Sequence, residues 1–157
     1  MNTISAEIRA YIKLITNIEI ENLYYDWSLE NQSGVFLGVG PSPYVIKDSY
    51  QGKNEVHEAV IRMSGKVEKE PSSIQSTRIN SRTLIAVRDE ILVEIEKQLI
   101  RDGLEDALRN AKGKLEKSML NMDHINSHID GEVVELFIDW DFDIDRSFLI
   151  MILNPKS

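Results

Sequence analysis

The sequence predicts an α+β protein with a mostly antiparallel sheet of about five strands. Apolar residues recur at steps of three and four near the N-terminus and again over residues 82–122, which is the helical period. Runs rich in β-branched and aromatic residues precede and follow residues 82–122, and turn-forming residues separate these runs. Strands and helices that are grouped rather than regularly alternating are typical of α+β layers.

The first 40 residues predict a helix followed by a β-hairpin. Residues 3–17 carry isoleucines at helical spacing, which indicates an amphipathic helix. Residues 19–29 and 35–39 have strand composition, and the polar stretch 30–34 between them fits a hairpin loop.

The middle of the chain is less regular. Residues 44–46 follow a Gly-Pro-rich stop and are expected to restart a strand. Apolar residues in segment 56–63 match one face of a helix. The turn-like residues 51–54 before this segment instead favour a strand, and we predict a strand here. Residues 70–77 are the most loop-like stretch, and they separate a β-rich front from the helical segment within a single predicted domain, 1–157.

Residues 82–122 predict one long helix or a helix pair. The apolar period breaks across Asp102-Gly103, and Asp102 with Glu105 is positioned as a capping box for a second helix. The C-terminal segment then predicts a β-hairpin. Its last run, 148–153, is apolar on both faces, so it is expected to be a central strand.

Composition and charge narrow the classes of function. The chain has no cysteine, no signal-peptide pattern and no membrane-spanning apolar run, which predicts a cytoplasmic protein. The net charge is -8, and the last 35 residues contribute most of it, with eight acidic and two basic side chains. Such an end repels nucleic acid and anionic membranes and attracts basic proteins or cations.

The acidic segment Asp139-Trp140-Asp141-Phe142-Asp143-Ile144-Asp145 is the strongest candidate site. As one strand it would place all four aspartates on one face; as a hairpin it would place Asp141 to Asp145 in the turn. Repulsion between neighbouring carboxylates in water is only on the order of 0.6 kcal/mol. The segment is therefore open to three interpretations: a solvated face that blocks aggregation, a docking surface, or a divalent-cation site that lacks the EF-hand glycine and glutamate.

Catalytic and cofactor motifs are missing or lack their context. His124 and His128 are four apart, but Ile125 excludes HExxH, so we expect both histidines to be structural residues that close a long helix. His57 has no serine partner at a recognisable spacing, although spatial proximity to a serine stays open. We therefore expect no catalytic residues, no metal site and no cofactor.

These observations predict a non-enzymatic acidic binding protein that neutralises a basic protein partner, in the manner of a bacterial immunity protein that blocks a nuclease toxin. The predicted partner-binding residues are Asp139, Trp140, Asp141, Phe142, Asp143 and Asp145. One alternative is a homo-oligomeric assembly protein, which would associate through residues 82–122 and the last strand. A second alternative is a metal-dependent enzyme that uses the C-terminal Asp and His residues.

Overall fold

A computed structural model of the chain describes residues 2–41 and 49–156. Its contacts divide the chain into two compact units, Met1–Val45 and Ile46–Ser157. The predicted α+β class is confirmed, since the described residues form five helices and two antiparallel sheets. The predicted sheet of about five strands is divided into one sheet of two strands and one of four.

The first unit consists of a helix and a hairpin, as the sequence predicts. Helix α1 spans Asn2–Thr16, and strands β1 (Asn22–Ser28) and β2 (Ser33–Val39) pair antiparallel. Gly34 lies opposite Trp27, and a Cβ at Gly34 would be 2.6 Å from the indole ring. A residue without a side chain is thus required for the Trp27 ring to pack across the hairpin.

The second unit is built on a four-stranded antiparallel sheet with the order β3-β4-β6-β5. The sheet consists of β3 (Ser73–Asn80), β4 (Thr83–Asp89), β5 (Glu132–Asp141) and β6 (Arg146–Asn154). Residues 148–153 lie in β6, which is an interior strand and is largely buried on both faces. The prediction of a C-terminal hairpin with a central last strand is confirmed.

Four helices complete this unit: α2 (Lys53–Val67), α3 (Glu94–Arg101), α4 (Glu105–Met119) and α5 (Met122–Asn126). Buried apolar residues of α2, α4 and α5 join those of β4, β5 and β6 in one hydrophobic core. That core lies entirely within residues 56–153.

The prediction of a strand at residues 56–63 is wrong, because this segment lies within α2. Val56, Ala59, Val60 and Met63, which match a helix face in the sequence, are all buried in the core. The turn-like residues 51–54 form the N-terminal end of α2 instead of a hairpin turn. Gly52 is the N-cap and has a left-handed φ of 86°. Turn residues and helix caps share this composition, so the local signal was ambiguous.

Two further predictions are wrong. Residues 73–77 of the predicted loop belong to β3, and residues 83–89 of the predicted long helix form β4. Both strands depend on pairing with distant segments, and β4 pairs with β3 and with β6.

The boundary between the two compact units follows Val45 rather than residues 70–77. The single domain 1–157 stays a prediction, and residues 44–46 lie outside the described part of the chain.

The predicted break at Asp102-Gly103 is confirmed, and it separates α3 from α4. Gly103 has a φ of 80°, and the Leu104 amide donates to the Leu99 carbonyl at 2.9 Å, which is the pattern of a Schellman motif. The predicted capping box is wrong: Asp102 is the C-cap of α3, and Leu104 is the N-cap of α4. Sequence spacing located the break but assigned its acidic residue to the wrong helix.

We expect residues 46–157 to fold without residues 1–45, because the main cluster of buried apolar residues lies in the second unit. Residues 1–45 alone should not fold cooperatively, since a two-stranded hairpin with one helix buries too little apolar surface. Thermal unfolding of both fragments, followed by circular dichroism, checks this. A non-cooperative transition in fragment 46–157 would contradict the expectation and would support one domain that needs the entire chain.

Candidate functional site

The acidic segment forms the end of β5 and the turn into β6. Strand β5 ends at Asp141 and β6 begins at Arg146, so the hairpin geometry is confirmed. Trp140 and Phe142 are only 3% and 8% exposed, and their rings stack with centroids 6.0 Å apart. Both aromatic rings therefore belong to the core and contribute little surface to a docking partner.

Asp139 is also held inside the protein. It is 6% exposed, and its carboxylate accepts a hydrogen bond from Arg109 of α4. Arg109 donates as well to the Trp140 carbonyl at 2.9 Å, and its guanidinium lies 4.8 Å from the centre of the Phe142 ring. Arg109 thus neutralises Asp139 and fixes the end of β5 against α4.

Asp145 has a local structural role. It adopts a left-handed φ of 51°, which Asp tolerates better than most residues. Its carboxylate accepts the backbone amides of Ile91 and Leu92 at 3.0 and 3.1 Å, and its carbonyl accepts the Glu90 amide at 2.8 Å. The side chain thereby shapes the loop that leads from β4 into α3.

The remaining aspartates are closer to solvent. Asp141 is half-buried, lies opposite Arg146 in the strand register, and accepts the Asp143 amide at 3.1 Å. Asp143 is exposed, as is Ile144 at 56%. Of the six predicted partner-binding residues, Asp143 offers an open side chain and Asp141 and Asp145 offer part of theirs. That a partner binds them stays a prediction.

An open cavity of about 590 Å³ lies between the acidic turn and α3. We call it the turn groove. Isoleucine side chains of the turn and of α3 provide part of its apolar lining. Its charged lining consists of three acidic and three basic residues, Glu90, Asp143, Asp145, Lys69, Lys97 and Arg101. The surface beside the acidic segment is therefore of mixed charge rather than uniformly negative.

A buried network of charged side chains lies under the helices of the second unit, centred on Arg88 of β4. Arg88 is fully buried, and it donates to Glu116 of α4 at 2.7 Å. It also donates to the hydroxyls of Ser64 in α2 and Ser147 in β6, each at 2.7 Å. One guanidinium therefore ties two strands to two helices.

The network continues through Lys112 of α4, which is almost fully buried. Its ammonium group donates to Glu96 at 2.7 Å and to Glu68 at 3.1 Å. The second oxygen of Glu96 accepts the Val93 amide at 3.0 Å and so caps the start of α3. Glu68, at the C-terminal end of α2, closes the network with an oxygen 3.8 Å from Arg88.

The ionisation of Glu68 is strongly altered. Burial, followed by the nearby Glu116 carboxyl, raises the pKa of Glu68 to about 9. Lys112 and Arg88 act in the opposite direction and do not compensate for these two effects. The protonated form of Glu68 is therefore favoured over the ionised form relative to an exposed glutamate.

Sequence reasoning did not identify this network, although two signals were present. Arg88 occupies an inward position in the alternation of Leu84, Ala86 and Arg88, which is visible only once the segment is a strand. Lys112 and Glu116 share a buried helix face with Leu108 at steps of four. Charged residues on an otherwise apolar face indicate buried ion pairs.

His57 does have a serine neighbour in space. Its Nε2 is 2.7 Å from the Ser76 hydroxyl oxygen, and the Tyr50 hydroxyl is 2.6 Å from the same atom. Burial lowers the pKa of His57, with a further contribution from Lys53, which favours the neutral form of the ring. Ser76 is fully buried, however, which makes this cluster a structural link rather than a nucleophile open to substrate.

His124 and His128 stack with ring centroids 4.8 Å apart. His124 Nε2 lies 3.6 Å from Glu58, and His128 Nδ1 lies 2.8 Å from the His124 carbonyl oxygen. Within residues 2–41 and 49–156, no three His, Asp or Glu side chains are grouped so that they could hold a metal ion. The alternative of a metal-dependent enzyme stays a prediction.

Replacing Arg88 with methionine should lower the free energy of unfolding by about 3–5 kcal/mol, because Glu116 would lose its buried cationic partner. Urea denaturation measures the change. The exposed Arg82, on the turn before β4, provides the control variant Arg82→Met. An Arg88→Met protein as stable as Arg82→Met would contradict the structural role of the network.

Replacing Asp145 with alanine should lower the free energy of unfolding by roughly 1–3 kcal/mol, because two backbone amides lose their acceptor. The exposed Asp143, two residues earlier, provides the matched control Asp143→Ala, whose effect should be much smaller. Thermal unfolding compares the two variants. Equal losses would show that Asp145 acts only through its charge.

Comparison with known proteins places this chain in a family. No curated protein and no solved structure matches it. The described residues contain no helix that is long and apolar enough to cross a membrane. A family model matches residues 51–155, which include the sheet of the second unit, the turn groove and the buried network. Because this match covers more than half of the chain, the protein belongs to the MpsC family, described as Na+-translocating membrane potential-generating system.

Proposed function

We propose that this protein is a non-enzymatic binding component of a Na+-translocating membrane potential-generating system, and that its turn groove holds a basic segment of a partner protein. The observation that carries the proposal is the groove itself. It is an open cavity of about 590 Å³ beside the exposed Asp143, and it lies in the part of the chain that matches the family.

The chemistry of the groove supports binding rather than catalysis. Glu68, His57 and Tyr50, whose pKa values are shifted, do not line the groove. Asp145, which does line it, is engaged by backbone amides. The groove thus offers charge and apolar surface, which supports a role in binding.

The distribution of charge supports a basic segment in one orientation. Two of the basic groups are already engaged along α3: Lys97 with Glu94 at 3.2 Å, and Arg101 with Gln98 at 2.8 Å. A lysine or arginine of the partner would be attracted to Asp143 and Glu90 on the turn side, while Ile144 offers an apolar contact. The basic groups along α3 would repel the same segment in the reversed orientation, which provides specificity.

In this proposal the protein works at the cytoplasmic face of the membrane, consistent with a chain that has no cysteine. The predicted role as an immunity protein is a narrower form of the same binding proposal, with a nuclease toxin as the basic partner. The family description instead favours a partner in the generation of membrane potential.

Homo-oligomeric assembly is a second candidate, because α4 and its N-cap carry exposed apolar residues at helical spacing. Leu104 and Leu115 are both 48% exposed, and Met119 is 39% exposed. A self-associating helix presents such a stripe to its copy. Light scattering of the purified protein separates this candidate from the first, which needs no second copy.

The groove proposal is tested by reversing charge at its rim. The double variant Glu90→Lys, Asp143→Lys should weaken binding to inverted membrane vesicles that contain the Na+-translocating system by roughly tenfold or more. Binding of the wild-type protein should weaken as KCl is raised. Co-sedimentation with the vesicles is the measurement, and vesicles that lack the system provide the baseline.

The matched control is Asp106→Lys, which reverses an exposed acidic residue in the first turn of α4, outside the groove. Binding that is equal for both variants, or equal for vesicles with and without the system, would overturn the proposal. Tight salt-sensitive binding to a basic nuclease, combined with no binding to the vesicles, would instead favour toxin neutralisation.

A further inference from the structure

Glu68 and Glu116 face one another inside the charged network, and both side chains are fully buried. Each has one oxygen engaged by a cation: Glu68 by Lys112 at 3.1 Å, and Glu116 by Arg88 at 2.7 Å. The other two oxygens, Glu68 Oε2 and Glu116 Oε1, have no hydrogen-bond partner in the described part of the molecule. A hydrogen bond between the two carboxyl groups is one of the causes that raise the pKa of Glu68.

The charges of the network do not balance if every group is ionised. Three carboxylates, Glu68, Glu96 and Glu116, surround two cations, Arg88 and Lys112. A net negative charge in a site closed to water is strongly unfavourable. One additional proton makes the network neutral, and it supplies the donor that the two unpartnered oxygens lack.

We propose that Glu68 and Glu116 form a buried binding site for one proton, which Glu68 Oε2 holds and donates to Glu116 Oε1 at neutral pH. The proton belongs to Glu68 because Glu116 makes the shorter bond to Arg88, whose guanidinium stays charged at all physiological pH values. This inference rests on the buried network and does not depend on the turn groove.

A proton fits this site better than a sodium ion. A metal cation would need several oxygen ligands at close range, by analogy with other hard cations. The hydroxyls of Ser64 and Ser147 are already bound to Arg88, and the positive charges of Arg88 and Lys112 lie next to both carboxyls. A proton needs only the two oxygens that remain.

The proton on Glu68 would form a hydrogen bond between the end of α2 and α4. Glu68 immediately follows α2, where its amide donates to the Ser64 carbonyl at 2.8 Å, and Glu116 lies on α4. Loss of the proton would place two carboxylates in contact at this junction, with Arg88, Lys112 and Glu96 as the charged groups around them. The end of α2 is therefore the element that we expect to loosen as pH rises.

The sign of the pH dependence follows from the pKa of Glu68, which rises from 4.5 to about 9 on folding. Between these values the folded protein holds a proton that the unfolded chain has released. The stability from this site is thus fully present below pH 4.5 and is lost as pH rises towards about 9. Over this range the site contributes a difference of about one proton to the dependence of unfolding on pH.

The test combines infrared spectroscopy with unfolding measurements. At pH 7 the wild-type protein should show the C=O band of a buried protonated carboxyl group, and Glu68→Gln should lack it. The glutamine amide can donate where the proton did, so this variant should fold. Its unfolding free energy, measured in urea over about pH 5 to 9, should lose the one-proton slope of the wild type.

The control variant is Glu70→Gln, which removes an exposed carboxylate two residues after Glu68 and should keep both the band and the slope. A wild-type protein without the protonated band, or a Glu68→Gln variant that retains the slope, would overturn the proposal. Stabilisation of the wild type by NaCl but not by KCl, without the band, would also overturn it and would indicate a sodium ion between the two carboxyls.

Discussion

The second unit of this protein depends on one buried cation. The Arg88 guanidinium cannot lose its charge, so its position inside β4 requires acceptors from every element around it. Helix α2 provides Ser64, β6 provides Ser147, and α4 provides Glu116. The arrangement of helices over the sheet is thus specified by directional bonds as well as by apolar packing. An apolar core alone would allow the helices to shift with little penalty.

Directional bonds to charged side chains also fix the acidic segment, because two of its aspartates bind groups within the protein. Asp139 is paired with Arg109, and Asp145 holds the amides of the loop before α3. The excess of negative charge near the C-terminus is therefore not all presented to a partner. Part of the acidic segment that remains at the surface lines the turn groove, where basic residues balance its charge.

The buried network and the turn groove lie on the same scaffold. Glu96 links them through α3: it binds Lys112 in the network and caps the helix that carries Lys97 and Arg101 to the groove. Glu96 is therefore common to the network and to the helix that lines one side of the groove.

The sequence by itself determined the features that depend on neighbouring residues: α1, the first hairpin, the break at Gly103 and the C-terminal hairpin. The spacing of apolar residues and the identity of turn residues predict these features, because both patterns lie within a few neighbouring residues of the sequence. Tertiary structure alone decided that residues 83–89 form a strand, that Arg88 is enclosed, and that Asp139 points to an arginine 30 residues away. Strand pairing and ion pairing join residues that are distant in the chain, so their energies do not appear in any local pattern.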